Sequence, residues 1–594
     1  MALKCFRSGS VTCMPDVGWD RTPVHTLRDY AVIADGERGA LIGPQGECAW
    51  MCFPSWESPA IFSGLVGGPG RYTVQPAERW RVWGGYYEER SLIWTSRWVT
   101  GSSVVECRQA LARPARRDRC ILLRRVQAAQ GAAQVRVRLD VRGAFGTHEM
   151  TDLRVDNGVW TARSGAVRLR WAGADGAAHD DGLELTLDLA EGQTHDLVLE
   201  LTTGPRTDPL AAAELWAMTE ADWHAGVPPC HDTLASRDAE QAYAVLTGLT
   251  SAGGGMAAAA TSSLPERLRA NRNYDYRYAW IRDQCYAGLA VAAHGARPYL
   301  LDNWTGFVTE RLLDDGDRLA AAYTVDGGRV PAEEHIGLPG YPGSRVVTGN
   351  KVGGQFQLDV FGEALQLFTA AARADRLTGP TARAARIAVD AIAAHWRRPD
   401  HGIWETRPNH WTHSRLTCVG GLRAAADVIA GPGERARWTR LADAILAETS
   451  RRALTPSGRW MRAPDDDRID ASLLIPPVRC ALPADDPRTV ATVQAVRECL
   501  VQDGFVYRYK IDERALGHAE GAFMLCGFFL ALAEHHQGRT VHGIRCFERS
   551  RSGCTTTGLF AEEYDVRQRQ LRGNLPQGFV HALLLETATR LATA

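Results

Sequence analysis

The sequence predicts a multidomain β + α protein: an N-terminal antiparallel β-sandwich followed by a C-terminal barrel of paired α-helices. Three observations carry this expectation. From about Thr26 to Thr203, short β-branched and aromatic runs alternate with Gly, Asp and Asn at the close spacing of antiparallel strands. From about Ala239 to the C-terminus, amphipathic helical stretches recur instead. The loops between those helices are long and rich in Gly, Pro, Asp, Trp and Tyr, as suits a barrel with its chemistry at one mouth. No short repeat period is visible, which separates the pattern from an ordinary solenoid. The expected units are a β-sandwich over 1–205, a helical linker over 206–238 and a barrel over 239–594.

In the first unit, strands are expected at Tyr30–Ala34, Gly39–Gly43, Gly70–Gln75, Ser91–Thr100, Ser103–Leu111 and Cys120–Val126. Gln134–Val141, Val167–Trp171 and Leu183–Leu189 alternate polar and apolar residues, as half-exposed strands do. A helix is expected over Asp208–Ala225, with Asp208 as N-cap and Pro209 in the first turn. Further helices are expected at Glu240–Leu249, Trp280–Ala293, Phe356–Ala374, Thr381–Trp396, Leu416–Ile429, Arg435–Arg452, Arg488–Leu500, Gly521–His535 and Gly578–Ala592.

Composition narrows the function. The chain of 594 residues is long enough for two or more cores. Its net charge of −1 offers no counter-charge to nucleic acid or to an anionic membrane. The 18 Trp suit a sugar ligand, but they suit large cores equally. Met1–Ser10 has no apolar segment of a secretory signal, and the apolar run Gly521–Ala533 is too short to span a bilayer. With scattered Cys and no CxxC pair, reduced thiols in a cytoplasm are expected. Cys48 and Cys52 lack partners at zinc spacing, and Asp465–Arg468 lacks the ligand spacing of a calcium loop. No metal and no cofactor is expected, and oligomeric state is not legible.

Five loop motifs carry the chemistry. The densest is Asn273–Asp283, with Tyr, Trp, Arg and Asp packed side by side. An Arg–Asp fork satisfies hydroxyls and flat rings cover the C–H face of a sugar, although a buried ion pair at a helix start reads the same way. The second is the glycine-laden Gly340–Glu363, with Gln355, Gln357 and Asp359 near its end. The third is Asp400–Glu405, the fourth His410–Arg415, and the fifth Gly558–Asp565 followed by Gly573–Gln577. Trp404 and the preceding Gly402-Ile403 suggest an apolar setting that would raise the carboxyl pKa of Glu405. A first-turn helix acid is the plainer reading of Glu405, and an acidic surface loop that of Glu562-Glu563. Tyr341, Trp404 and Trp411 are candidate sugar platforms or core residues.

These motifs and their order resemble glycoside hydrolase family 15, which contains glucoamylases, glucodextranases, isomaltose-releasing glucohydrolases and prokaryotic trehalases. The front segments Leu27–Gly43 and Cys52–Ala60 resemble the prokaryotic branch, and the resemblance covers essentially the whole chain. It implies a β-sandwich followed by an (α/α)6 barrel. It also implies Glu405 as general acid and Glu562, rather than Glu563, as general base, with Arg282 and Asp283 on the far hydroxyls of the terminal glucose. An inverting pair of this kind stands roughly 6.5–9.5 Å apart, with a water beneath the sugar. The chain departs from the family where Val346–Val352 lacks the usual Arg and carries Lys351 in place of a small residue, and where Arg415, a further candidate substrate contact, replaces a Lys. Both departures fall on the expected leaving-group side, and Arg for Lys is not a neutral exchange. The function expected is an inverting, exo-acting α-glucoside hydrolase that releases β-glucose from short α-1,6 or α-1,4 gluco-oligosaccharides. A trehalase of the same family is the near alternative. An inverting disaccharide phosphorylase and an inactive sugar-binding relative are the distant ones. The expected partner is a small carbohydrate.

Overall fold

The computed structural model describes residues 24–180, 182–267 and 272–593. Met1–Ser10, where no secretory signal is expected, lies outside them. The N-terminal part is sheet-rich and every strand pairing in it is antiparallel. A four-stranded meander runs through Ala31–Ala34, Gly39–Ile42, Cys48–Cys52 and Ala60–Phe62. An eight-stranded sheet has the spatial order Thr151–Asp156, Val159–Ser164, Val167–Ala172, Thr194–Thr202, Arg119–Gln130, Val104–Leu111, Trp94–Thr100 and Arg81–Tyr87. A second four-stranded sheet includes Gly182–Leu189, Ala133–Asp140 and Arg71–Pro76. The alternation read in Leu183–Leu189 is real: its even and odd positions take opposite faces, buried and exposed in turn. Inward side chains of these sheets, among them Tyr72, Val74, Trp98, Leu122, Val137, Leu185 and Leu199, share one apolar core.

The helical linker begins later than expected. Helix α1 is Ala212–Gly226, and Ala211 rather than Asp208 precedes it, with no side-chain cap. Arg170 Nη2 donates to the Asp208 carbonyl at 2.8 Å, which ties that segment to the eight-stranded sheet instead of to a helix start.

The remainder is helical: α2 (Ser236–Leu249), α3 (Ile281–His294), α4 (Pro298–Asp315), α5 (Asp359–Arg373), α6 (Gly379–His395), α7 (Thr412–Val428), α8 (Pro432–Arg452), α9 (Ile475–Val478), α10 (Pro487–Cys499), α11 (Met524–His536), α12 (Thr540–Arg551) and α13 (Gly578–Ala592). Helix starts follow from local chemistry. Thr378 caps α6 by accepting from Thr381 N–H, and Asp486 caps α10 by accepting from Arg488 N–H. Each cap stands beside a proline in the first turn, whose fixed φ suits that position. Gly295, at φ +80°, ends α3 in the left-handed conformation.

Packing arranges the helices in two layers. α3 packs on α5, α5 on α7, α7 on the short α9, α9 on α11, α11 on α13, and α13 back on α3. The others lie outside: α4 on α3, α6 on α5, α8 on α7, α10 on α11, α12 on α11 and α2 on α13. Among the described residues no helix is long and apolar enough to cross a membrane.

The two parts interlock behind one loop. Residues 258–267 pair antiparallel with 272–278: Ala258 N–H donates to Tyr278 O, Ala259 to Tyr276 O, Ser263 to Tyr274 O and Glu266 to Arg272 O, at 2.8–3.0 Å. In such an extended return leg alternate side chains take opposite faces. Arg272, Tyr274 and Tyr276 face a cavity. Asp275 and Arg277 face backward and are fully buried. Arg277 donates to the carbonyls of Trp56 (3.2 Å) and Ser58 (2.7 Å) in the sheet-rich part and is paired with Asp275 at 2.7 Å.

Candidate active site

The cavity has a volume of about 480 Å³ and opens at the loops that join the helices. Its wall brings together Arg282, Asp283, Trp404, Glu405 and Glu562, five of the residues singled out from sequence. Glu405 and Glu562 come from distant loops and meet through a pair of rings. Trp280 Nε1 donates to Glu405 Oε1 at 2.7 Å, and Tyr276 Oη donates to Glu562 Oε1 at 2.9 Å. The two rings touch edge to face with centroids 5.4 Å apart, so both carboxyl groups hang from adjoining anchors and line one cavity.

Glu405 sits in a tight turn and not in a helix. Gly402 and Glu405 both hold positive φ, +65° and +53°. A left-handed glutamate is uncommon, and such strain persists where surrounding structure holds it. Here the holder is Asp400, which is fully buried. Its Oδ1 accepts from Gly402 N–H (2.9 Å) and Ser414 Oγ (2.8 Å), and Arg415 pairs with its other oxygen. The setting of Glu405 differs from the apolar one expected. Trp404 turns its indole N–H away to Asp470 at 2.9 Å, while Glu405 receives Trp280 and lies 3.4 Å from Arg282 Nη2.

The strand Glu563–Asp565 separates the two adjacent glutamates by its alternation. Glu562 lines the cavity, while Glu563 points away and accepts from Gly521 N–H at 2.7 Å. Burial, and next the neighbouring Glu266, push the Glu562 carboxyl well above the ordinary carboxylate range, against the pull of Arg508 and Arg272. Its Oε2 has no hydrogen-bond partner, nor has Oε1 of neighbouring Gln577, although both are buried. Room for this carboxyl depends on Gly573, at φ +79°, where a Cβ would stand 3.1 Å from Glu562 Oε2.

Arg282 and Asp283 open helix α3. Arg282 Nη1 donates to Ile403 O at 3.2 Å and Nε lies 3.5 Å from Asp283 Oδ1. Burial pushes Asp283 up to about 6 in spite of Arg282 beside it. Behind them Asp359, the first residue of α5, is likewise pushed up to about 7 by burial.

Three expected sugar contacts stand behind the wall rather than on it. Arg415 is consumed by Asp400 and the Arg398 carbonyl, because a buried guanidinium needs its own acceptors. Trp411 packs under the turn, where a Cβ on Gly402 would meet its Cδ1 at 2.6 Å. Tyr341 is buried and donates from its hydroxyl to His25 O at 3.0 Å, at the seam with the sheet-rich part. Lys351, the other departure noted in sequence, does reach the cavity rim and pairs with Glu333 at 2.8 Å.

Other wall residues were not singled out from sequence: Glu266, Arg272, Arg508 and Gln577, with individual roles for Tyr274, Tyr276 and Trp280. The signal for Arg272 was available, since it continues the every-second-residue row of Tyr274 and Tyr276.

Comparison with known proteins agrees with this geometry. A trehalase-like N-terminal domain model matches residues 18–222. The trehalase of Mycobacterium tuberculosis is 31% identical, across 97% of this chain and 91% of the relative. The trehalase of Mycolicibacterium smegmatis is 30% identical, across 97% and 92%. An isomaltose glucohydrolase of Kribbella flavida is 29% identical over 46% of this chain and 69% of its own length. The crystal structure of a bacterial glucoamylase complexed with acarbose superposes with a TM-score of 0.71 at 13% identity, covering 96% of this chain and 95% of that one, so the fold is glucoamylase-like. The family model of glycosyl hydrolases family 15 matches residues 241–589, the helical part that carries both glutamates, and the chain belongs to that family as a glycoside hydrolase.

Proposed function

We propose that this protein hydrolyses the α,α-1,1 bond of trehalose by a single inverting displacement, with Glu405 as general acid and Glu562 as general base. What carries the reading is the presence of both carboxyl groups in one cavity, each anchored by one of the touching rings of Trp280 and Tyr276. Trehalose is put ahead of isomaltose-type and malto-type chains because the long-covering relatives bear the name trehalase and the N-terminal model is trehalase-like. Hydrolysis of α-1,6 gluco-oligosaccharides is the second reading, favoured by the isomaltose glucohydrolase relative. On this reading the sheets form a β-sandwich over 1–205, 206–238 links, and the two helix layers over 239–594 form an (α/α)6 barrel.

In the reaction, Arg282 and Asp283 hold the remote hydroxyls of the first glucose, and Trp404 and Trp280 border its ring. Glu405 donates its proton to the bridging oxygen as the C–O bond breaks. Glu562, with Oε2 free, takes a proton from a water that attacks the anomeric carbon from the opposite face. The product of that attack is β-glucose, and the released partner keeps its α configuration.

The test is a pair of variants across trehalose, isomaltose, maltose, maltotriose and dextran. Glu405→Gln and Glu562→Gln are each expected to lower kcat on trehalose by about 10³-fold or more, with melting temperatures near that of the native protein. Near-native turnover in either variant removes that residue from its role. Turnover of isomaltose well above that of trehalose gives the reading to α-1,6 glucosides.

A further inference from the structure

We propose that Arg272 and Glu266 form the hydroxyl-binding pair for the leaving sugar, so that the cavity holds each ring of a disaccharide by one arginine–carboxylate pair. This deepens the hydrolase reading above and rests on it. The wall contains two such pairs on either side of the Tyr276–Trp280 contact. One is Arg282–Asp283, beside Glu405. The other is Arg272–Glu266, with Nη2 and Oε2 at 2.7 Å, beside Glu562.

The second pair is built rather than incidental. Glu266 is 5% exposed and its N–H is fixed to the Arg272 carbonyl at 3.0 Å. Arg272 Nη1 lies 3.2 Å from Glu520, whose carboxylate is itself held by Arg508 through Nε and Nη2 at 2.9 and 2.6 Å. Arg508 is in turn packed on the Phe523 ring at 4.4 Å, in the wall beside Trp404. The guanidinium of Arg272 is thus braced from behind while keeping a quarter of its side chain exposed to the cavity.

Between Arg272 and Glu562 the wall is aromatic. Tyr274 and Tyr276 lie nearly parallel, 10° between ring planes and 6.3 Å between centroids. Aromatic side chains beside a planar fork of donors suit a pyranose and its vicinal hydroxyls. Gln577 Oε1, buried without a hydrogen-bond partner, is a further acceptor on that side. The first ring already occupies Arg282 and Asp283. A disaccharide joined through both anomeric carbons presents the same hydroxyls on its second ring, and a site for it needs the same chemistry twice.

The test compares two substrates, α,α-trehalose and α-glucosyl fluoride, whose leaving group has no hydroxyls to bind. Arg272→Met and Glu266→Gln are expected to lower kcat/KM for trehalose at least about tenfold more than for α-glucosyl fluoride, mostly through KM. Arg272→Lys keeps the charge and loses the fork, and an intermediate ratio is expected of it. It also supplies the comparison if Arg272→Met does not fold. Equal losses on both substrates, or no loss on trehalose, overturn the proposal, and equal losses assign the pair to holding Glu562. A native protein inactive on both substrates instead overturns the hydrolase reading itself.

Discussion

Glu405 and Glu562 are held in different ways, and the difference bears on pH. Glu405 is fixed by backbone, in a left-handed turn, with its carboxyl a quarter exposed. Glu562 is fixed by side chains and buried, facing Glu266, Tyr276, Arg272 and Arg508. Burial and Glu266 raise its pKa, and a base works only when ionised. The acidic limb of kcat/KM is therefore expected above the ordinary carboxylate range, with activity lost as pH falls through that limb. Glu266→Gln removes a neighbouring negative charge, so the limb is expected to move to lower pH, and a pH–rate profile on α-glucosyl fluoride measures it. An unmoved limb contradicts Glu562 as the titrating base. Both glutamates were singled out only through the family resemblance of their motifs, since each alone reads as a first-turn acid or an acidic surface loop. The same resemblance chose Glu562 over Glu563, and in the fold Glu562 lines the cavity while Glu563 points away. Glu266 was not legible, since it lies six positions before Arg272 in an ordinary polar stretch and meets it only through the fold.

The turn 400–405 shows why some sequence readings failed at the level of elements. Trp411 and Arg415 carry the residue types of a sugar site, yet both serve the turn: Trp411 fills the space under Gly402, and Arg415 anchors Asp400. Sequence reports that a residue can bind and not which neighbour already uses it. Many strands and most helices were legible from periodicity, but strands such as Cys48–Cys52, Arg81–Tyr87 and Thr194–Thr202 were not expected, nor was α9, because Ile475-Pro-Pro-Val478 carries two prolines inside a single turn. Helix α4 and α12 were likewise passed over, their buried residues being spread among charged ones. Gly402→Ala tests the turn. Its φ of +65° and the 2.6 Å approach to Trp411 leave no place for a methyl group. The variant is expected to lose about 1–3 kcal/mol of stability and about tenfold or more in kcat. Native thermal stability and native kcat together contradict the turn's role in placing Glu405.

Across the whole molecule, the sheet-rich part is a wall of the helical one. Arg277 sits one residue from the cavity row and finds carbonyl acceptors on Trp56 and Ser58. Trp50 Nε1 crosses the same seam to Ala260 O at 3.0 Å. Removing the N-terminal part takes these acceptors from Arg277 and uncovers the apolar core that both parts share. Residues 239–594 expressed alone are expected to aggregate or to lack turnover, as size-exclusion chromatography and a trehalose assay would show. A soluble, active fragment contradicts this interdependence.

The most direct test of two facing carboxylates is the anomer formed in the first turnovers of trehalose, followed by proton NMR before mutarotation. Inversion at one anomeric centre is expected to yield β-glucose and α-glucose in equal amounts. Formation of α-glucose alone means retention, and contradicts a water activated by Glu562 opposite Glu405.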